Sequence, residues 1–171
     1  MLYIRTDMNE IIATGHVMRC LAIADAIRQM GEDVTFLLAD ENAVELVAGR
    51  GYESLILHTP WDDMEAELGT LQEVIYQNKI DIILVDSYQV TERYLHELRK
   101  NVKVAYIDDI NSFLYPIDLL ICYASYWKKF HYTDGYKNTK LLLGLQYAPL
   151  RKGFQKTEPR EIKENIENIL I

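Results

Sequence analysis

Short runs of apolar, often β-branched residues alternate along the chain with longer stretches in which apolar positions recur every three or four residues. This is the pattern of a parallel sheet covered by helices on both faces. "LYIRT" is the first predicted strand. A helix over 16–30 follows, with Val17, Leu21, Ala24 and Ile27 along one face and Gly31 placed to end it. "DVTFLLA" predicts the second strand, 42–50 a helix stopped by Gly51, and "SLILH" the third strand. The segment "PWDDMEAELGTLQEVIYQN" opens on Pro60 and an acidic first turn and carries Met64, Leu68, Leu71 and Ile75 at helical spacing, which predicts a helix from Pro60 onward. "DIILVD" has the continuous apolar character of a central strand, "TERYLHELRK" is the next helix and "VKVAYIDD" the next strand. "DLLICYA" and "KLLLGL" predict two more strands, and the aromatic-rich stretch 125–147 is expected to be ordered loop.

The fold class is therefore α/β, a Rossmann-like parallel sheet with helices on both faces, over residues 1–155. Residues 156–171 read as a short polar helix followed by the apolar "NILI". A domain that finished there would more naturally end in polar residues, so this segment is expected to be a linker helix and the start of a second domain.

Composition narrows the class. A chain of 171 residues, 49% hydrophobic, can bury a proper core without metal or disulfide staples. Cys20 and Cys122 are far apart in sequence and have no companion at metal-ligand spacing, which suggests free thiols and a cytoplasmic location. No basic segment followed by an apolar stretch opens the chain, and no apolar run approaches the roughly 20 residues that span a bilayer, so no membrane partner is expected. The net charge of −8 argues against a nucleic-acid partner, which needs a concentrated basic face. It leaves room for one anionic small molecule, because a few backbone amides and an arginine can overcome the mean field.

In open α/β sheets the ligand lies beyond the carboxyl ends of the strands. The polar residues there are Asp7 and Gly15-His16 after the first strand, Asp86, Ser87 and Tyr88 after the fourth, and Asp108 and Asp109 after the fifth. All are expected to converge on one crevice. Gly15 allows close approach of a ligand to the backbone, and the free N–H groups of the helix start favour an anion. The helix end lowers the pKa of His16 and keeps it neutral as a proton acceptor, whereas a neighbouring carboxylate, with Asp7 the obvious candidate, pushes the other way. His16 can equally serve as a helix cap or pack on the sheet. Arg19 can grip a diphosphate or carboxylate bidentately, or form a surface ion pair. Asp86 and Tyr88 can position a sugar hydroxyl or a water, or cap the helix that starts near Thr91. Asp108 and Asp109 invite a magnesium reading, but further oxygen ligands are not in view, and a hydrogen-bonding or loop-shaping role is preferred. Tyr123, Tyr126, Trp127, Tyr132 and Tyr136 can stack on a base or sugar, although packing of a loop on the sheet explains them as well. His58, His96 and His131 have no metal-like spacing, and neither the three-glycine dinucleotide fingerprint nor a Walker lysine is present.

The stretches "RTDMNEIIATGHVMRCLAIADAIRQMGEDVTFL", "VDSY", "YIDD" and "LLLGLQYAPLRKGF", in that order, resemble the N-terminal half of the UDP-2,4-diacetamido-2,4,6-trideoxy-β-L-altropyranose hydrolases of pseudaminic acid biosynthesis. Spore coat polysaccharide biosynthesis proteins are similar. The resemblance implies one half of a glycosyltransferase-B-type protein, with the active site between two Rossmann-like domains and most nucleotide contacts made by the second. It also implies metal-independent hydrolysis with loss of UDP from the anomeric carbon, and no cofactor. His16 matches the essential histidine, which would act as acid or base with water. Tyr88 matches a tyrosine lining the site, and Arg5, Asp7, Arg19 and Asp109 fall on motif positions that shape the sugar pocket. The chain departs from the family where Ala13-Thr14-Gly15-His16 replaces Gly-x-Gly-His, where Gly153 replaces a common acidic residue, and where "CYA" replaces a frequent asparagine. These changes leave the histidine intact and bear on the choice of sugar.

The leading expectation is thus a UDP-sugar hydrolase domain. The alternatives are a nucleotide-sugar glycosyltransferase of the same architecture and a non-catalytic sugar-binding domain.

Overall fold

The computed structural model describes residues 1–154. The predicted linker helix and "NILI" strand of 156–171 lie outside the described residues, as does residue 155. Seven strands form one sheet: β1 (Leu2–Thr6), β2 (Val34–Leu38), β3 (Glu53–Ile56), β4 (Ile82–Asp86), β5 (Lys103–Ile107), β6 (Leu119–Cys122) and β7 (Lys140–Leu143). Their order is β3-β2-β1-β4-β5-β6-β7, and every neighbouring pair is parallel. The Rossmann-like class read from the pattern is the observed one.

Parallel strands need crossovers, and helices supply all but the one from β5 to β6: α1 (Gly15–Gln29), α2 (Val44–Ala48), α3 (Leu68–Asn78) and α4 (Glu92–Arg99), with a single turn, α5 (Tyr132–Gly135), in the long connection before β7. Side chains alternate along each strand, so the sheet has two apolar faces and two cores. Ile4, Phe36, Leu38, Leu84 and Ile107 pack under Val17, Cys20 and Leu21 of α1 and Val47 of α2. Tyr3, Leu37, Ile83, Val85 and Val104 face Leu71 and Ile75 of α3 and Leu95 and Leu98 of α4. Ile27 is only half-buried but packs against the first of these cores. Gly31 takes φ +85°, the left-handed backbone that ends α1.

Two helix predictions need correction. The helix expected from Pro60 starts only at Leu68, and 61–67 form turns instead. Those turns carry Met64 and Glu67 into the interior, where Glu67 meets a buried arginine from β1. That pairing sets the chain's path before the helix begins. The helix expected over 42–50 is a 3-10 turn at Glu41–Ala43 running into the short α2. The Asp40 carboxylate opens the turn by accepting the Asn42 N–H at 2.9 Å.

Candidate active site

The sheet reverses its direction of winding between β1 and β4, which places the crevice at the carboxyl ends of those two strands. The loop from β1 to α1 borders it. Asn9 folds that loop, its Oδ1 accepting the N–H groups of Ile11 (2.8 Å) and Ile12 (3.0 Å). Asn9 also bridges to Ala13, which holds a left-handed φ of +54°. No side chain caps α1, so the N–H groups of its first turn stay open. A Cβ added at Gly15 would meet nothing within 4 Å, so the space before this turn is free.

His16, in that first turn, is 7% exposed. Its ring stands edge-on to Tyr88, with centroids 4.7 Å apart and planes at 83°. It makes no hydrogen bond among the described residues. Burial pushes its pKa below the usual 6.5; Asp86, Asp109 and Asp7 oppose that shift, and Arg19 adds to it. The imidazole is therefore neutral near pH 7 and has a lone pair to offer.

The carboxylate expected beside His16 was that of Asp7; it does oppose the effect of burial on the imidazole, but after Asp86 and Asp109, and its hydrogen bonds are made elsewhere. Asp7 accepts from the Arg5 guanidinium and from the Ala39 N–H at 2.8 Å, so it ties the end of β1 to the end of β2. Arg5 is fully enclosed and fully paired: Nε reaches Glu67 Oε1 at 2.9 Å, Nη2 reaches Oε2 at 2.6 Å, and Nη1 meets Asp7. Tyr94 of α4 donates to the same Glu67 at 2.7 Å. Arg5 and Asp7 thus set the floor of the crevice from beneath rather than facing into it. The sequence gives no sign that Glu67 belongs here, since it reads as one more acidic residue in a polar turn.

Arg19, one turn beyond His16, grips a carboxylate bidentately, and that carboxylate is Asp86 of the protein itself. Nε donates to Asp86 Oδ2 at 2.6 Å, Nη2 to Oδ1, and Nη1 to the Tyr123 hydroxyl at 3.0 Å. With 13% of its side chain exposed, it is neither a surface pair nor a free anion clamp. Asp86 is wholly buried and also accepts from the Cys20 thiol at 3.3 Å. Its carboxylate binds α1 to β4, while the cap of α4 is Thr91, whose Oγ1 accepts the Tyr94 N–H at 3.0 Å. Tyr123 enters the site only through its place after β6, which strand order alone reveals.

Tyr88 and Asp109 complete the cluster. The Tyr88 hydroxyl donates to Asp109 Oδ2 at 3.1 Å, and the Arg19 guanidinium lies 5.9 Å from its ring centre. Burial and the bond to Asp109 push the Tyr88 phenol up to about 12, so it remains a donor at neutral pH. The other oxygen of Asp109, Oδ1, is enclosed without a hydrogen-bond partner. So is the Nδ2 of Asn9, whose amide is fixed in orientation by the two bonds to its oxygen.

Asp108 and Ser87 do not join the cluster. Asp108 accepts from Ile110 N–H, Asn111 N–H, and the hydroxyls of Tyr115 (2.9 Å) and Tyr132, which is the loop-shaping role preferred from the sequence. Ser87 shapes the turn after β4 by accepting the Gln89 N–H at 3.1 Å. Tyr132 and Tyr136 pack the long connection onto the sheet, as do Trp127 and Phe130. Among the described residues no three His, Cys, Asp or Glu side chains are grouped to hold a metal ion, and no helix is long and apolar enough to cross a membrane.

The arrangement offers a neutral imidazole, an open helix start, a neutral phenol and a carboxylate oxygen free to accept. Such groups can move a proton to or from an oxygen and hold a polyhydroxylated ligand. Comparison with solved structures finds the same fold in MurG of Acinetobacter baumannii, at 12% identity and a TM-score of 0.57, over 82% of this chain and 44% of that one. A glycosyltransferase from Rickettsia africae ESF-5 matches at 12% identity and a TM-score of 0.58, over 83% of this chain and 41% of that one. No family model and no curated protein matches the sequence. The likeness is one of fold, a glycosyltransferase-B-type half, and the chain spans less than half the length of either structure.

Proposed function

We propose that this chain is a nucleotide-sugar-processing domain that hydrolyses a UDP-diacetamido-trideoxyhexose, with His16 as the base. The observation that carries the reading is the neutral, buried imidazole at the open start of α1, edge-on to Tyr88 and beside the winding switch of the sheet. In this reaction a water oxygen attacks the anomeric carbon while the bond from that carbon to the β-phosphate oxygen breaks. The water proton passes to His16, and UDP leaves with the bonding electrons. Asp7, held by Arg5, and Arg19, held by Asp86, fix the geometry of the floor and of α1.

Both arginines near the crevice are already matched by carboxylates, so the described residues favour the sugar portion of the ligand. We assign the diphosphate to a second, nucleotide-binding domain, which agrees with the share of the MurG and glycosyltransferase structures that this chain spans. The fold shared with a glycosyltransferase favours a second reading, transfer of the sugar to an acceptor hydroxyl in place of water. UDP release from UDP-2,4-diacetamido-2,4,6-trideoxy-β-L-altropyranose, followed without added metal or acceptor on the chain joined to a nucleotide-binding half, separates the two. Hydrolysis predicts release in water alone, and His16→Ala should slow it by about 10²- to 10⁴-fold, the usual contribution of a positioned base. Release at an unchanged rate in the variant would remove His16 from the mechanism, and release only on addition of an acceptor would favour transfer.

A further inference from the structure

Asp109 Oδ1 is a carboxylate oxygen withdrawn from solvent with no donor to meet it. Leaving such a group unpaired destabilises a fold, and in native proteins it calls for a specific explanation. What lies beside it is informative. Tyr88 is 45% exposed, sits in the turn between β4 and α4, and is bound to Asp109 by one hydrogen bond of 3.1 Å. Its ring also meets the edge of His16 and the guanidinium of Arg19. Because Tyr88 lies outside the strands and helices, moving its ring gives up the long hydrogen bond to Asp109 without breaking the hydrogen bonding of β4 or α4.

The charges around Asp109 restrict the donor. Asp7 is paired with Arg5 and Asp86 with Arg19, so the uncompensated charge in this cluster is that of Asp109 itself, which disfavours an anion. The unmet Oδ1 calls for a hydrogen-bond donor, and a sugar hydroxyl or amide N–H supplies one. Resting on the nucleotide-sugar reading above, we propose that Asp109 is the specificity-determining acceptor for a hydroxyl or acetamido N–H of the sugar, and that Tyr88 is the cover that moves aside to admit it. The donor completes the hydrogen bonding of Oδ1, and the displaced ring packs on the sugar.

The test uses the chain joined to a nucleotide-binding half, with two probes, UDP and UDP-N-acetylglucosamine, titrated by ligand-observed NMR against wild type, Asp109→Asn and Tyr88→Phe. Wild type should bind the sugar nucleotide about tenfold more tightly than UDP, the scale of one hydrogen bond to a charged group. Asp109→Asn should erase that ratio while leaving UDP affinity unchanged. Tyr88→Phe, which lacks the competing hydroxyl, should bind the sugar nucleotide at least as tightly as wild type. A ratio that survives in Asp109→Asn overturns this proposal and leaves the nucleotide-sugar reading standing. Failure of wild type to bind either probe overturns both, and weaker binding by Tyr88→Phe overturns the cover. Without any ligand, the thermal midpoint of Asp109→Asn should equal or exceed that of wild type; a fall of several degrees marks Asp109 as a structural residue and overturns the assignment.

Discussion

Ala13 sits where a glycine would be at ease, in the left-handed region at φ +54°. An L-residue there costs about 1–2 kcal/mol. An Ala→Gly change ordinarily destabilises by about 0.4–1 kcal/mol through the unfolded chain, so at this position the two effects oppose one another. Ala13→Gly should leave the urea midpoint unchanged or raise it; a loss of 1 kcal/mol or more would mean that residue 13 is not left-handed in solution. For His16 the sign follows from burial, which favours the neutral form. The proposed base works only when unprotonated, so kcat/KM should be level above pH 6.5 and fall on the acid side with a midpoint below that value. A limb centred above 6.5 would contradict the burial argument. His16 and Tyr88 were legible as single residues because each follows a strand. The pairings of Arg5 with Glu67 and of Arg19 with Asp86 were not legible, because each spans more than 60 positions along the chain.

At the scale of elements, hydrophobic period was a good guide to strands and a poorer one to where helices start. The central strand "DIILVD" is apolar on both sides because both faces of the sheet are covered, and β4 is buried along nearly its whole length. The turns of 61–67 keep the apolar spacing of a helix yet are not one, since Glu67 answers a side chain of β1 and no local pattern encodes that demand. The start of α4 was legible for the opposite reason: Thr91 caps it through its own backbone neighbourhood. Thr91→Ala should cost about 1 kcal/mol of unfolding free energy, the usual value of a lost cap. Because α4 packs on the face opposite α1, UDP release by this variant should match wild type, and a parallel loss of activity would show that the two faces are coupled through the Glu67 pairing.

For the whole molecule, the strand order decides which residues meet. Seven parallel strands bring loops from distant parts of the sequence to one rim, and the reversal between β1 and β4 selects which of those loops surround a ligand. Asp108 and Asp109, adjacent in sequence, are divided by that rim: one organises the long connection to β7, the other reaches the crevice. The clamp of α1 onto β4 has a chemical consequence of its own. Cys20 is enclosed, its thiol held well toward the protonated form by burial and by the Asp86 carboxylate to which it donates. A thiol in that condition supplies no thiolate for attack on peroxide or on a disulfide. The helix that carries His16 is therefore seated on β4 through a cysteine that acts as a buried hydrogen-bond donor and not as a nucleophile.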